Sequence, residues 1–170
     1  MSIAPSILKN AIAGTLGLCL ISAPALADTM DCTRTQRLRK SISSQVLNPF
    51  DQPDRQLSQS NLLLVASSKN PEWDGVEMTT YEHADSIAGA GTHSGYGMVT
   101  LKGGEKVWVK WEGAHHTIVK PDGNWETPYQ GVVRFIGGTG KYKAIRGGGY
   151  YEGTNTQDTV LQHIVCHADY

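Results

Sequence analysis

From Leu62 onward, apolar and polar residues alternate in short runs of the kind that form half-buried β-strands. The clearest run, 106–112, places Val107, Val109 and Trp111 on one face and polar residues, together with Trp108, on the other. The run 76–83 alternates in the same way. No segment between these runs has helical periodicity over a length sufficient for a helix. The pattern therefore predicts an all-β domain.

Turn signals divide this part of the chain into about eight short strands. The predicted strands are 62–66, 76–83, 93–101, 106–112, one ending at 119, 131–136, 149–154 and 159–167. Such spacing is typical of an antiparallel sandwich or barrel. Glycine inside strands marks tight bends and bulges, and a closed barrel leaves no exposed strand edge. We therefore expect an eight-stranded antiparallel β-barrel over residues 61–170.

The segment 28–60 has no comparable alternation and is predicted to be an irregular N-terminal extension. The basic stretch Thr33–Lys40 could start a short helix, but its apolar positions are too few for a buried face. The stretch Asn48–Asp54 then carries prolines and turn-forming Asn and Asp residues. The expected structure is a linker or a loop draped over the barrel.

The first 27 residues have the composition of a cleaved signal peptide. Lys9 provides a positive charge, Ala11–Ile21 an apolar run, and Ala25–Ala27 a cleavage site of the small-x-small type. The alternatives are a membrane anchor, for which the run is short, and a lipoprotein at Cys19, where Leu18 is bulkier than processing expects. The prediction is cleavage after Ala27 and a secreted or periplasmic protein.

Charge and length limit the classes of partner. The formal net charge is −1, whereas a nucleic-acid-binding domain is usually strongly basic. Beyond the leader there is no second long apolar run, so stable membrane insertion is not expected. The length fits one domain, and the sequence says nothing about its oligomeric state.

Two cysteines follow the predicted leader, Cys32 near its end and Cys166 near the C-terminus. In an oxidising compartment, such a pair is expected to form a disulfide. The alternative is a redox-active thiol, but the chain has no CxxC motif to favour it.

The segment 131–153 contains GGTG after a strand, a pattern that resembles a phosphate-binding loop. That function needs a following helix whose N-terminus faces the anion. Here three more glycines follow within a few residues, and too little chain remains for a dinucleotide-binding fold. We therefore interpret Gly137, Gly138 and Gly140 as a structural turn that reverses the backbone with positive φ.

The stretch Phe135–Tyr142, followed by Ile145–Gly147, resembles the signature turn of the allene oxide cyclase-like and dirigent-like β-barrels, which belong to the calycin type. The resemblance implies an eight-stranded barrel with a small-molecule pocket at one mouth. Plant members cyclise an unstable epoxide or steer the coupling of phenoxy radicals. The overall sequence pattern is similar to that of secreted bacterial members of this barrel type. No stretch of this chain matches a pocket motif, so no pocket residue is transferred.

The candidate ligand-binding residues are aromatic and titratable side chains on the predicted strands: Tyr81, Glu82, His83, Trp111 and Phe135. If the barrel holds a ligand, the three aromatic residues would form the wall of its pocket; the alternative is that they simply fill the barrel interior. For acid–base chemistry the candidates are Glu82, Glu112 or Glu126 near a histidine, but nothing in the sequence brings two such groups together. No catalytic triad is recognisable.

His115 and His116 are the most conspicuous polar pair, and their role is left open. Neighbouring residues on a strand point to opposite faces, so both cannot bind one metal ion without irregular backbone. One of them could join histidines or a carboxylate on other strands, namely Glu82, His83, His93 or His163. No local spacing supports this, and neither a metal nor a cofactor is predicted.

Three hypotheses about function stay open: a secreted barrel that binds a small apolar or aromatic molecule, an allene oxide cyclase-like isomerase or cyclase, and a structural or interaction protein with a filled barrel. An aromatic cavity with a buried carboxylate or histidine would favour the isomerase. An aromatic cavity without such groups would favour the binding protein. A filled interior would favour the structural protein.

Overall fold

The computed structural model describes residues 28–170, and the predicted signal peptide lies outside them. Ten strands and one short 3-10 helix, Gly140–Tyr142, make up this part of the chain. The strands are β1 (Thr29–Asp31), β2 (Arg34–Leu47), β3 (Arg55–Ser67), β4 (Glu77–Ile87), β5 (Ala90–Thr100), β6 (Lys106–His116), β7 (Ile118–Val119), β8 (Trp125–Gly138), β9 (Arg146–Thr156) and β10 (Val160–Asp169).

Eight of these strands close into an antiparallel barrel, as the sequence predicted. The path runs β2-β3-β4-β5-β6-β8-β9-β10, and β10 pairs with β2 to complete the ring. The short strands β1 and β7 lie outside the ring, where β1 pairs with β10 and β7 pairs with β8. Among residues 28–170, no helix has the length and apolar character needed to cross a membrane.

The prediction of an irregular segment over 28–60 is wrong. Strands β2 and β3 are two of the longest in the barrel, and Thr33–Lys40 belongs almost entirely to β2 rather than to a helix. By contrast, the predicted strand ending at Val119 is only the two-residue β7 outside the ring. The predicted number of barrel strands is therefore right, although one member of the set is different.

The disulfide prediction is confirmed, because Cys32 and Cys166 are bonded. Cys32 lies between β1 and β2, and Cys166 lies on β10, which pairs with both strands. Both residues are fully buried. The crosslink therefore fixes the strand pairing through which the barrel closes.

One end of the barrel is filled by large side chains from loops and strands. Trp73, in the loop after β3, is fully buried and packs edge-on against Phe135 with ring centroids 6.1 Å apart. Tyr142 of the 3-10 helix is also fully buried, and its hydroxyl donates to Glu72 Oε2 at 2.8 Å. This closed end provides most of the apolar core.

The glycine-rich turn lies at the closed end and leads into Tyr142. Gly137 and Gly140 have positive φ values of 146° and 56°, a region that favours glycine. Gly138 plays a different part from the one predicted, because its φ is not positive. A Cβ there would lie 2.7 Å from the Tyr142 carbonyl oxygen, so its lack of a side chain allows close packing.

Candidate functional site

The other half of the barrel contains a cavity of about 550 Å³. Inward-facing residues of the barrel strands line it, including Leu64, Val109 and Ile164. It reaches solvent at the end opposite Trp73, since Val46 and Val119 line it and are exposed. The barrel is therefore closed at one end and has an accessible interior at the other.

The first polar contact in the cavity joins Glu82 and Trp111 across a glycine. Glu82 on β4 is opposite Gly95 on β5, which is opposite Trp111 on β6. The indole N–H of Trp111 donates to Glu82 Oε2 at 3.0 Å. A Cβ at Gly95 would lie 2.6 Å from Cζ2 of Trp111, so only glycine leaves the indole room to reach the carboxyl group.

The second contact joins His93 and Tyr151 across two glycines. In register, His93 on β5 is followed by Gly113 on β6, Gly131 on β8 and Tyr151 on β9. His93 Nε2 and the Tyr151 hydroxyl oxygen are 2.7 Å apart. A Cβ at either glycine would lie within 2.6 Å of that hydroxyl oxygen.

A third contact of the same kind joins Tyr129 on β8 to Gln162 on β10 across Gly153 on β9. The Tyr129 hydroxyl donates to Gln162 Oε1 at 3.4 Å, and Gln162 Nε2 donates to Gln36 Oε1 at 2.5 Å. We call these three contacts the glycine-spanned pairs: Glu82–Trp111, His93–Tyr151 and Tyr129–Gln162. In each pair, glycine removes the side chain that would separate the two polar groups, so the cavity wall contains hydrogen bonds between residues that are not on adjacent strands.

Burial favours the neutral form of each titratable group in these pairs. It raises the pKa of Glu82, against an opposing effect of the hydrogen bond from Trp111. It lowers the pKa of His93 to about 4, with a further contribution from His115. Burial, and then the nearby Glu82 carboxylate, raise the pKa values of Tyr129 and Tyr151 above their usual range. At neutral pH the imidazole and both phenols are therefore uncharged.

A cationic group lies where the cavity meets the closed end. Arg34 of β2 lines the cavity and is 2% exposed. Its guanidinium carbon is 4.5 Å from the centroid of Trp73, and Nη1 donates to the Cys32 carbonyl oxygen at 2.9 Å. Burial lowers the pKa of the guanidinium, but from a value so high that the group stays charged at neutral pH.

His115 and His116 lie on opposite faces, as strand geometry predicts. His115 lines the cavity, and its ring centroid is 5.7 Å from that of His93. Burial lowers its pKa, followed by the nearby charge of His116. Within residues 28–170, no group of three or more His, Cys, Asp or Glu side chains has the geometry to hold a metal ion.

The structure brings together two of the five predicted site residues, Glu82 and Trp111. Phe135 is buried at the closed end against Trp73 and is not among the cavity-lining residues. Tyr81 and His83 flank Glu82 on β4, so their side chains point away from the cavity. Tyr81 stacks on Tyr96 outside the barrel, and His83 Nε2 is 2.9 Å from Ser94 Oγ.

The cavity contains further groups that were not among the predicted site residues: Arg34, His93, Tyr129, Tyr151 and Gln162. The sequence suggests His93 only as a possible metal ligand. Its contact with Tyr151 depends on the register of four strands, which the sequence alone does not supply. The sequence does contain one signal for such contacts, the recurrence of glycine inside the strands. A glycine leaves room for a large side chain on a neighbouring strand.

Comparison of the chain with protein-family models, with curated proteins and with solved structures gives no match.

Proposed function

We propose that the protein binds a small, largely apolar or aromatic molecule inside its barrel. The observation that carries this proposal is the cavity of about 550 Å³ with access to solvent. Ligand pockets in proteins commonly have volumes of roughly 300–1,000 Å³ and combine apolar walls with a few polar groups. A structural protein with a filled barrel would leave no interior volume of this kind.

The cavity wall supports a ligand with a flat or aliphatic body and a small number of polar groups. Leu64, Val109 and Ile164 offer apolar contact, while the glycine-spanned pairs offer hydrogen-bond donors and acceptors. More than half of the lining residues have polar side chains, serines and threonines among them. Such groups orient a ligand, because each buried polar group favours a pose in which it has a partner.

Native mass spectrometry of the protein purified from its own source tests this function. We expect an adduct of constant mass that disappears on denaturation, with one molecule bound per chain. A spectrum of the bare chain, combined with failure of small apolar probes to bind, would contradict the proposal.

A second candidate function is an isomerase or cyclase of allene oxide cyclase-like type. The buried Glu82 and the His93–Tyr151 pair are the groups expected of such an enzyme, because they place proton donors and acceptors in an aromatic cavity. This candidate stands second because binding follows from the cavity alone, whereas catalysis also requires these groups to face the reacting atoms of a substrate. A carboxyl group whose pKa is raised by burial can act as a general acid or base near neutrality. The family resemblance of the glycine turn supports this candidate and is part of the same proposal.

In this candidate function, Trp111 holds one oxygen of the Glu82 carboxyl group and leaves the other for substrate. Neutral His93 and Tyr151 would accept or donate a second hydrogen bond at a different part of the cavity wall. The chiral shape of the cavity would then select one fold of a flexible substrate before ring closure.

The test is the stereochemistry of the product formed from an unstable epoxide of the kind that the plant members cyclise, generated in situ. We expect wild-type protein to give an enantiomeric excess in the cyclic product, and Glu82→Gln to reduce it. Glu112→Gln, on the exposed face, serves as the matched control. Racemic product with wild-type protein would contradict the enzymatic candidate and leave the binding function to be judged separately.

We also propose that the chain is secreted or periplasmic and is cleaved after Ala27. The Cys32–Cys166 disulfide supports an oxidising compartment. The intact mass of the protein from its own source is expected to correspond to a chain that begins at Asp28. A mass that includes residues 1–27 would contradict cleavage at this site.

A further inference from the structure

The charge of Arg34 is unusual for the interior of a small barrel. Long cationic side chains are rarely fully buried unless a carboxylate accompanies them. Arg34 is 2% exposed, and no carboxylate among residues 28–170 forms an ion pair with it. Its Nε has no hydrogen-bond acceptor within those residues. The guanidinium therefore has unused donor capacity next to the cavity.

The contacts that Arg34 does make offset only part of the cost of burying a charge. The Trp73 ring supplies a cation–π contact at 4.5 Å, and the Cys32 carbonyl accepts one hydrogen bond. Cys166 Sγ, 3.5 Å from Nη1, is a weak acceptor. None of these groups carries a negative charge. An anion that entered from the cavity would supply the missing counter-charge.

We propose that the ligand of this cavity carries an anionic oxygen group, a carboxylate or a sulfonate, and that this group binds Arg34 at the deep end. The inference rests on the proposed binding function and defines its ligand class. The apolar body of the ligand then lies along Leu64, Val109 and Ile164, which line the cavity with Arg34. A planar guanidinium suits such a group, because it can donate two parallel hydrogen bonds to its oxygens.

The charges around the cavity are compatible with one anion at the deep end. Glu82 is the carboxyl group that lines the cavity, and it is hydrogen-bonded to Trp111 rather than to Arg34. His93 and His115 also line the cavity. Arg34 is therefore the fixed positive charge that an entering anion meets.

Two fluorescent probes that differ by one charged group test the inference: anilinonaphthalene sulfonate and its neutral counterpart, N-phenylnaphthylamine. We expect wild-type protein to bind the sulfonate about tenfold more tightly, the scale of a charge-assisted hydrogen bond. Arg34→Met is expected to abolish this preference while leaving the affinity for the neutral probe within about twofold. Lys110→Met, on the exposed face of β6, is the matched control and should keep the preference.

Equal affinities in wild-type protein, or a preference that persists in Arg34→Met, would overturn the inference. If Arg34→Met does not fold, the uncharged polar variant Arg34→Gln decides: it should lose the preference for the sulfonate, and an unchanged preference would overturn the inference. Failure of both probes to bind wild-type protein is a separate outcome, which would overturn the binding function itself.

Discussion

Glu82 and His93 line the same cavity, yet burial moves their pKa values in opposite directions. The common cause is that a low-dielectric interior disfavours whichever form is charged. Each group is therefore biased toward its neutral form, in which a carboxyl group can donate a hydrogen bond and an imidazole can accept one. These two residues make stability depend on pH in ways that can be separated.

Substitution of His93 by Gln is expected to weaken the acid sensitivity of the fold. The pKa of His93 is about 4 in the folded state and about 6.5 in the unfolded chain. As the pH falls through this interval, the unfolded chain takes up a proton that the folded protein does not, so wild-type stability decreases. Urea unfolding at about pH 7 and about pH 5 should show a smaller loss in His93→Gln.

The control for this experiment is His163→Gln, because His163 is exposed on the outer face of β10. It should lose as much stability on acidification as wild-type protein. A loss in His93→Gln equal to that of wild type would show that His93 is not held neutral. His115 shifts in the same direction and contributes part of the remaining slope.

Substitution of Glu82 by Gln is expected to stabilise the fold at neutral pH. Because burial raises the folded-state pKa, the unfolded chain ionises at a lower pH than the folded protein. The stability that Glu82 contributes below its ordinary pKa is therefore lost as the pH rises through the folded value. Gln does not titrate and still offers an oxygen to the Trp111 indole.

Thermal melts of Glu82→Gln should show a higher midpoint than wild type near neutrality, and the advantage should shrink in acid. Glu112→Gln is the matched exposed control and should change the midpoint little. A lower midpoint for Glu82→Gln at neutral pH would mean that the carboxylate is stabilised in its charged form, against this interpretation.

At the scale of the strands, inward-facing glycines determine which side chains can meet. On a regular sheet, side chains of directly opposite residues are neighbours. In this barrel, Gly95, Gly153 and the pair Gly113–Gly131 remove the intervening side chains, so residues two or three strands apart form hydrogen bonds. The glycines in the strands thus serve the cavity as well as the curvature of the barrel.

Gly131→Ala is expected to lower the free energy of unfolding by about 1–3 kcal/mol, the usual cost of overpacking. Its Cβ would lie 2.4 Å from the Tyr151 hydroxyl oxygen and 2.2 Å from the Glu112 carbonyl oxygen, so the backbone or Tyr151 must move. Gly97→Ala is the matched control, because its nearest contacts are at 3.1 Å and beyond.

Chemical denaturation of both variants checks this prediction, with Gly97→Ala expected to lose clearly less stability. If the two variants lose the same amount, the glycine at 131 is needed for strand geometry in general and not for the His93–Tyr151 pair.

The sequence predicted the other strands of the ring better than β2, for a physical reason. In β2 the inward positions at the closed end are polar, Arg34 and Gln36, so apolar alternation is missing. Register shifts at Leu38/Lys40 and Ser41/Ser43 also change which residues face inward. No single period of two runs through the strand, and a period-based prediction finds no strand there.

Alternation along a strand separates its two faces but does not say which face is inside the barrel. The predicted site was therefore only partly right. Trp111 shares a face with Val107 and Val109, and that face is indeed interior. Tyr81, Glu82 and His83 are successive residues of β4, and successive residues of a strand point to opposite faces, so Tyr81 and His83 lie on the outer face. The His93–Tyr151 pair needed the register of four strands and was beyond the reach of local patterns.

For the whole molecule, the disulfide ties the two ends of the described chain into one strand pairing. The crosslinked residues are 134 positions apart. In the chain-entropy model a loop of this length stabilises the fold by about 4–5 kcal/mol, less any strain. The disulfide is thus expected to supply a large fraction of the total stability of roughly 5–15 kcal/mol that is typical of a domain.

Reduction of the wild-type protein should therefore lower its free energy of unfolding by up to about 4–5 kcal/mol in urea titrations. The double variant Cys32→Ala with Cys166→Ala should match the reduced protein and be insensitive to reductant. Alkylation of unreduced protein that labels two thiols would contradict the crosslink.

The central claim, that the barrel interior binds a small molecule, is tested most directly by titrating N-phenylnaphthylamine against wild-type protein and two tryptophan variants. Ala84→Trp places a large side chain in the cavity, and His83→Trp places the same side chain on the outer face of the same strand. The account predicts one probe per chain in wild type and His83→Trp, and a loss of binding in Ala84→Trp. Equal binding in all three proteins, or no binding in wild type, would contradict it.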